Sequence, residues 1–146
     1  MLRTLYLTNN QIGDEGLQAF STACTAGALP QLEILGLAAN SIGDVGLKAF
    51  VTALATGWLP RLEILGLGNN QVGDAGLKAL VQVCTPKGAL TQLKSLSIQF
   101  NKIGDEGFRA LAKALEAGGL PSLERLIMDG NPGNPAPAQA VLQRRS

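Results

Sequence analysis

Four aspartates recur at one spacing. Asp14, Asp44, Asp74 and Asp105 follow at intervals of 30, 30 and 31 residues. Each lies in a near-copy of one phrase: "NQIGDEGLQAF" from Asn10, "NSIGDVGLKAF" from Asn40, "NQVGDAGLKAL" from Asn70 and "NKIGDEGFRAL" from Asn101. A row of carboxylates is a candidate for calcium binding or for paired acid–base work. If each phrase opens a helix, neighbouring helices lie about 8–10 Å apart. Two carboxylates that far apart cannot share a cation at about 2.3–2.6 Å from each. The expected role is therefore local. An aspartate at a helix start accepts from free N–H groups and favours the positive end of the dipole.

Other chemistry is missing. The chain has no histidine, which excludes His-based triads, bases and metal ligands. Cys24 and Cys84 make no ligand cluster. Phosphate-cradling glycine motifs are absent, and the serines and threonines lack a plausible base. No catalytic, cofactor-binding or metal-binding residue is assigned, and the reading is that of a non-enzyme. The net charge of +1, with no run of like charges, removes the footprint of a nucleic-acid or anionic-membrane binder. No apolar run approaches the 18 or so residues of a membrane span.

The leucines carry the same period. "LRTLYLTNN" begins at Leu2, "LEILGLAAN" at Leu32, "LEILGLGNN" at Leu62, "LKSLSIQFN" at Leu93 and "LERLIMDGN" at Leu123. A period of 30–31 residues means a solenoid, in which each unit buries its apolar face by stacking on its neighbours. The pattern L-x-x-L-x-L-x-x-N resembles the leucine-rich repeat. The continuation I-G-D-x-G-x-x-A-L resembles the ribonuclease-inhibitor-like subclass, shared with innate-immune nucleotide-binding receptors and Ran GTPase-activating proteins. The resemblance implies an α/β fold with parallel strands on a concave side and helices on a convex side.

The physics of the unit agrees. Alternation in "LEILGL" is a short strand with Leu32, Leu35 and Leu37 turned inward. Asn10, Asn40, Asn70, Asn101 and Asn131 are expected to form a ladder that pairs backbone groups where the strand ends. Gly13 and its equivalents are expected to permit a turn. The second glycines (Gly16, Gly46, Gly76, Gly107) fall in the first helical turn, where glycine costs up to about 1 kcal/mol; close packing between units explains them. Each helix then buries one stripe, such as Leu47, Phe50 and Leu54. Strands at about 4.8 Å opposite helices at about 8–10 Å bend the stack into an arc.

One domain, residues 1–146, is expected, with units starting near 2, 32, 62, 93 and 123. Residues 132–146 read as a C-terminal cap: prolines replace the I-G-D-x-G phrase, and Ala140, Val141 and Leu142 offer a last apolar turn. No N-terminal cap is read. Leu2, Leu5 and Leu7 therefore expose an edge, which a longer repeat chain, a partner or a second copy would cover.

Function is expected on the concave face, as a non-catalytic protein–protein interaction module. Its columns place Tyr6, Ile34, Ile64, Ser95, Ser97, Gln99, Phe100, Arg125 and Ile127 toward a partner. Trp58, with Ala28, Ala89 and Gly119 as its equivalents, is a candidate at the rim or a filler of a local gap. The alternative is a structural subunit built into a larger assembly with its N-terminal edge covered. Two cysteines two units apart stand too far apart for a disulfide. Reduced, buried thiols and an intracellular, reducing compartment follow, cytoplasmic or inside an organelle. No cofactor is implied.

Overall fold

A computed structural model describes residues 1–145. Strands and helices alternate: β1 (Thr4–Tyr6), α1 (Gly13–Thr25), β2 (Ile34–Gly36), α2 (Asp44–Leu54), β3 (Ile64–Gly66), α3 (Asp74–Val83), β4 (Ser95–Ser97), α4 (Asp105–Glu116), β5 (Arg125–Ile127) and α5 (Ala136–Arg145). The strands form one parallel sheet in sequence order. The register runs Thr4, Ile34, Ile64, Ser95, Arg125 and, two residues on, Tyr6, Gly36, Gly66, Ser97, Ile127. The product is a curved solenoid of about five repeats.

The core lies between sheet and helices and is aliphatic. Leu32, Leu35, Leu37, Leu62, Leu65, Leu67, Leu93 and Leu96 are fully buried. The helices add Leu47, Phe50, Leu77, Leu80, Phe108 and Leu111. In α5, Ala138, Val141 and Leu142 are buried, and Arg145 donates to the carbonyls of Gly119 and Leu120 at 3.1 and 2.7 Å, beyond the end of α4. Pro86 follows α3, which spans 10 residues against 11 and 12 in α2 and α4, as the missing N–H of proline demands.

The asparagine ladder links units. Asn70 Oδ1 accepts from Asn40 N (2.9 Å) and Ile42 N (3.0 Å), while its Nδ2 donates to the carbonyls of Leu37, Leu67 and Gly68. Asn40 and Asn101 are likewise buried, whereas Asn10 is exposed.

The aspartates act differently from the expectation. None caps its own helix; each caps the next one. Asp14 Oδ1 accepts from Gly43 N (2.7 Å) and Gly46 N (2.9 Å). Asp44 does the same for Gly73 and Gly76, and Asp74 for Gly104 and Gly107. Among the described residues Asp105 receives only Asn134 N, at 2.8 Å, because the second donor position is Pro137, which has no N–H. The turn reading of the first glycines also needs correction. Gly13 is left-handed at φ +66°, but Gly43, Gly73 and Gly104 are extended at φ −109°, −109° and −100°. They are small because an aspartate of the preceding unit lies against them. The left-handed residues the sequence hid are Leu29, Leu59, Leu90 and Leu120, which turn the chain back toward the next strand.

Both cysteines are free and buried. Burial raises the pKa of Cys24 and pushes that of Cys84 up to about 12 from 9.0. The folded thiol of Cys84 thus holds its proton where the unfolded one has lost it. Its contribution to stability is fully present below pH 9 and is lost as pH rises from there toward 12. Cys84 is expected to resist a thiol reagent at pH 8 until denaturant is added, and the unfolding midpoint to fall above pH 9. Rapid labelling of native Cys84 contradicts its burial.

Candidate functional site

The concave face is built by what the sheet leaves outside. Leu35, Leu65, Leu96 and Leu126 point into the core at the middle of each strand, so the flanking positions must point out. The register brings Ile34 beside Ile64 and Ser97 beside Ile127. Three large apolar side chains stand clear of the core there: Tyr6 at 68% exposure, Ile64 at 39% and Phe100 at 54%. Ile34, Ser95, Ser97, Gln99 and Ile127 are half-buried on the same face, and Arg125 is exposed.

Glycine sets the relief of this face. A methyl at Gly36 would meet the Tyr6 ring at 2.8 Å, so Tyr6 lies over that backbone. The backbone at Gly36 is therefore covered. Gly66 has no neighbour nearer than ordinary contact. Gln99 folds across Gly68, with Nε2 2.6 Å from where a methyl would stand; its Oε1 is buried without a hydrogen-bond partner. Phe100 is left-handed at φ +55°, as are Asn9, Ala39 and Asn69 at the equivalent positions. That conformation swings it off the strand direction, toward Gly130.

Trp58 does not belong to an exposed rim. It is 8% exposed and packs edge-on against Phe20 (5.9 Å between centroids) and Phe50 (5.4 Å). Its Nε1 donates to Ala28 O at 3.4 Å. The gap between the ends of α1 and α2 is what it fills. Leu2 is 47% exposed, and Leu5 and Leu7 are half-buried at the sheet edge, well apart from the middle of the concave face.

Two features were not read from the sequence. A row of charge, Arg3, Glu33, Glu63, Lys94 and Glu124, precedes the five strands, with Lys94 Nζ 3.3 Å from Glu63 Oε2. The strand register, once known, makes that row visible. On the convex side a groove of about 460 Å³ separates α1 from α2, lined by Gln18, Ser21, Thr22, Thr52, Ala49 and Ala53. It exists because small side chains face each other there, which no single-helix pattern reveals.

Asp14, Asp44 and Asp74 each hold two backbone N–H groups. Among the described residues, no group of three His, Cys, Asp or Glu side chains is placed to hold a metal ion. No helix among them is long and apolar enough to cross a membrane.

Comparison with known proteins places this geometry. A family model described as leucine rich repeat matches residues 1–21, 29–51, 60–81 and 89–112. No curated protein matches the chain in sequence. Among solved structures, leiomodin-1 actin-binding site 2 superposes with a TM-score of 0.70 at 19% identity, covering 97% of this chain and 79% of that one. An internalin (inlF) from Listeria monocytogenes superposes with a TM-score of 0.53 at 23% identity, covering 98% of this chain and 33% of that one. At these identities the likeness is one of fold.

Proposed function

Because the chain belongs to the leucine-rich repeat family, we propose that it is a non-catalytic protein-binding module that uses its concave face. The observation that carries this reading is the exposure of Tyr6 and Ile64 on the sheet face, with Phe100 exposed beside it at the turn that leaves β4. Large apolar and aromatic side chains held out of a core are the usual anchors of an interface. Ile34, Ser95, Ser97, Gln99, Arg125 and Ile127 supply the surrounding contacts. The columns are almost uncharged, so the partner surface is apolar and neutral, and binding should depend weakly on salt. We assign residues 1–146 to one such domain, with 132–146 as its C-terminal cap. The likeness to an actin-binding segment of leiomodin-1 is consistent with a binding role and does not name the partner.

The repeat itself suggests the test. Tyr6, Ile64 and Phe100 have Ser97, Ser95 and Asn69 at equivalent positions in other units. The variant Y6S/I64S/F100N therefore uses residues the fold already accepts. It is expected to keep the wild-type melting temperature within a few degrees and to lose at least tenfold in affinity for any partner captured from the source cell. Val45→Glu on the convex side, an exposed position with Glu15 and Glu106 as equivalents, should leave binding intact. Binding abolished by Val45→Glu and untouched by the triple variant refutes the concave reading.

A further inference from the structure

Four glycines lie along the concave side: Gly36, Gly66 and Gly68 in or just past the strands, and Gly130 at the turn that leaves β5. Three of them carry a planar side chain from a neighbouring unit. The Tyr6 ring reaches Gly36 from the preceding unit, the Gln99 amide reaches Gly68 from the following one, and the Phe100 ring reaches Gly130. Gly66 is different. A methyl there would meet only Gly36 Cα at 3.7 Å, and Leu35 O and Ser97 Oγ at 3.9 Å, all ordinary contacts. The register gives the reason. Its partners on the flanking strands are Gly36, which has no side chain, and Ser97, whose side chain is too short to cross. Because β3 is the middle strand of five, this uncovered backbone lies at the centre of the face.

The surroundings of Gly66 are neutral. Tyr6 over Gly36 stands on one side and Ser97 on the other. Ile64 and Gly68 flank it along the strand on the same face, with Gln99 folded across Gly68. None of these residues is charged, so a planar cation such as a guanidinium would lie there without a counter-charge. Gln99 adds a second observation. Its Oε1 is buried, and no donor among the described residues reaches it. An acceptor left in that state costs free energy until a donor is supplied.

Resting on the reading of the concave face as the binding surface, we propose that the Gly66 backbone seats one tyrosine or tryptophan side chain of the protein partner. The ring lies over the strand as Tyr6 lies over Gly36, with its edges against Tyr6 and Ile64. Its O–H or N–H donates to Gln99 Oε1. Gln99 turns off Gly68 to present that oxygen and gains the hydrogen bond it lacks in the free chain. A leucine or phenylalanine in the same seat leaves the acceptor unpaired, so Gln99 selects for an aromatic ring that carries a donor.

The probe is a phage-displayed library of random peptides, selected on the whole chain. Selected peptides are expected to share one tyrosine or tryptophan. Changing it to phenylalanine should weaken binding about tenfold to the chain and hardly at all to Gln99→Leu, a coupling that a merely structural Gln99 does not give. Gly66→Ile, which borrows the residue at the equivalent position of unit five, is expected to lower affinity at least tenfold. Gly66→Ser borrows Ser97 and begins with an atom in ordinary contact; it should keep the fold and still lose several-fold in affinity. Val45→Glu should leave binding unchanged. Loss with Y6S/I64S/F100N but with neither Gly66 variant leaves the concave reading standing and overturns the seat. Loss with none of the three overturns both. Selected peptides that share an arginine or no aromatic residue, or a library that yields no binder, also overturn the seat.

Discussion

Asn70→Ala is expected to lower the melting temperature by about 10 °C, while Asn69→Ala, one residue away, moves it by no more than about 3 °C. Asn70 is 8% exposed and joins two units through five hydrogen bonds. Alanine leaves Asn40 N–H and Ile42 N–H buried with no acceptor, and strips donors from three carbonyls. A buried group left unpaired costs about 1–3 kcal/mol; two N–H groups alone make the loss on the order of 4 kcal/mol. That is a large part of the roughly 5–15 kcal/mol that holds a domain folded. Asn69 is exposed and left-handed at φ +56°. Alanine in that conformation costs about 1 kcal/mol, and Ala39 already stands there at φ +57°. Thermal melts of the two variants decide it; equal midpoints remove the ladder from the account of stability.

The order and type of elements were legible because period and pattern are properties of sequence alone. Leucines every 30 or 31 residues announce the stack, and alternation within "LEILGL" announces the strand and its inward face. What escaped was the identity of partners across units. Asp14 looks the same to a sequence reader whether it caps α1 or α2; only the stacking shows that its Oδ1 faces Gly43 and Gly46. The leucines at φ near +58° (Leu29, Leu59) escaped for a related reason. Leucine is a poor choice for that conformation taken alone, and only burial of the side chain at Leu59 rewards it.

The concave columns were readable to the residue, since a period of two leaves no freedom in a strand. Their relief was not. Whether Gly36 is bare or covered depends on the rotamer of Tyr6, one strand away. On similar grounds the sequence left Trp58 open between a rim contact and the filling of a local gap, and the structure selects the gap. Its neighbours Phe20 and Phe50 come from two different helices, and no spacing rule brings three such residues together.

The second glycine of each phrase yields a prediction in which two physical rules oppose each other. Helix propensity says that Gly46→Ala, inside α2, should stabilise the chain by about 1 kcal/mol. The structure says the reverse. A methyl at Gly46 would lie 2.5 Å from Asp14 Oδ1 and 2.8 Å from Asp14 Cα, and the second of these is backbone. The carboxylate must leave Gly43 N and Gly46 N, two charge-assisted bonds at 2.7 and 2.9 Å. Overpacking costs about 1–3 kcal/mol, and a hydrogen bond to a charged group is worth about 1.5–3 kcal/mol. Gly46→Ala is therefore expected to destabilise by about 3 kcal/mol net of propensity. Gly76→Ala and Gly107→Ala, with Asp44 Oδ1 and Asp74 Oδ1 at 2.5 and 2.6 Å, should behave alike. Gly16→Ala should not. Its methyl meets only the Ile12 side chain, Cγ2 at 2.6 Å and Cβ at 3.4 Å, with no carboxylate or backbone of another unit against it, and Ile12 is half-buried with room to shift, so its effect stays within about 1 kcal/mol. The carboxylate and the methyl compete for one space, so Asp14→Ala with Gly46→Ala should cost less than the sum of the two. Urea unfolding of the single and double variants measures all of this. A Gly46→Ala chain as stable as wild type would mean that the aspartate bridge between units contributes nothing, and that these glycines hold their place for some other reason.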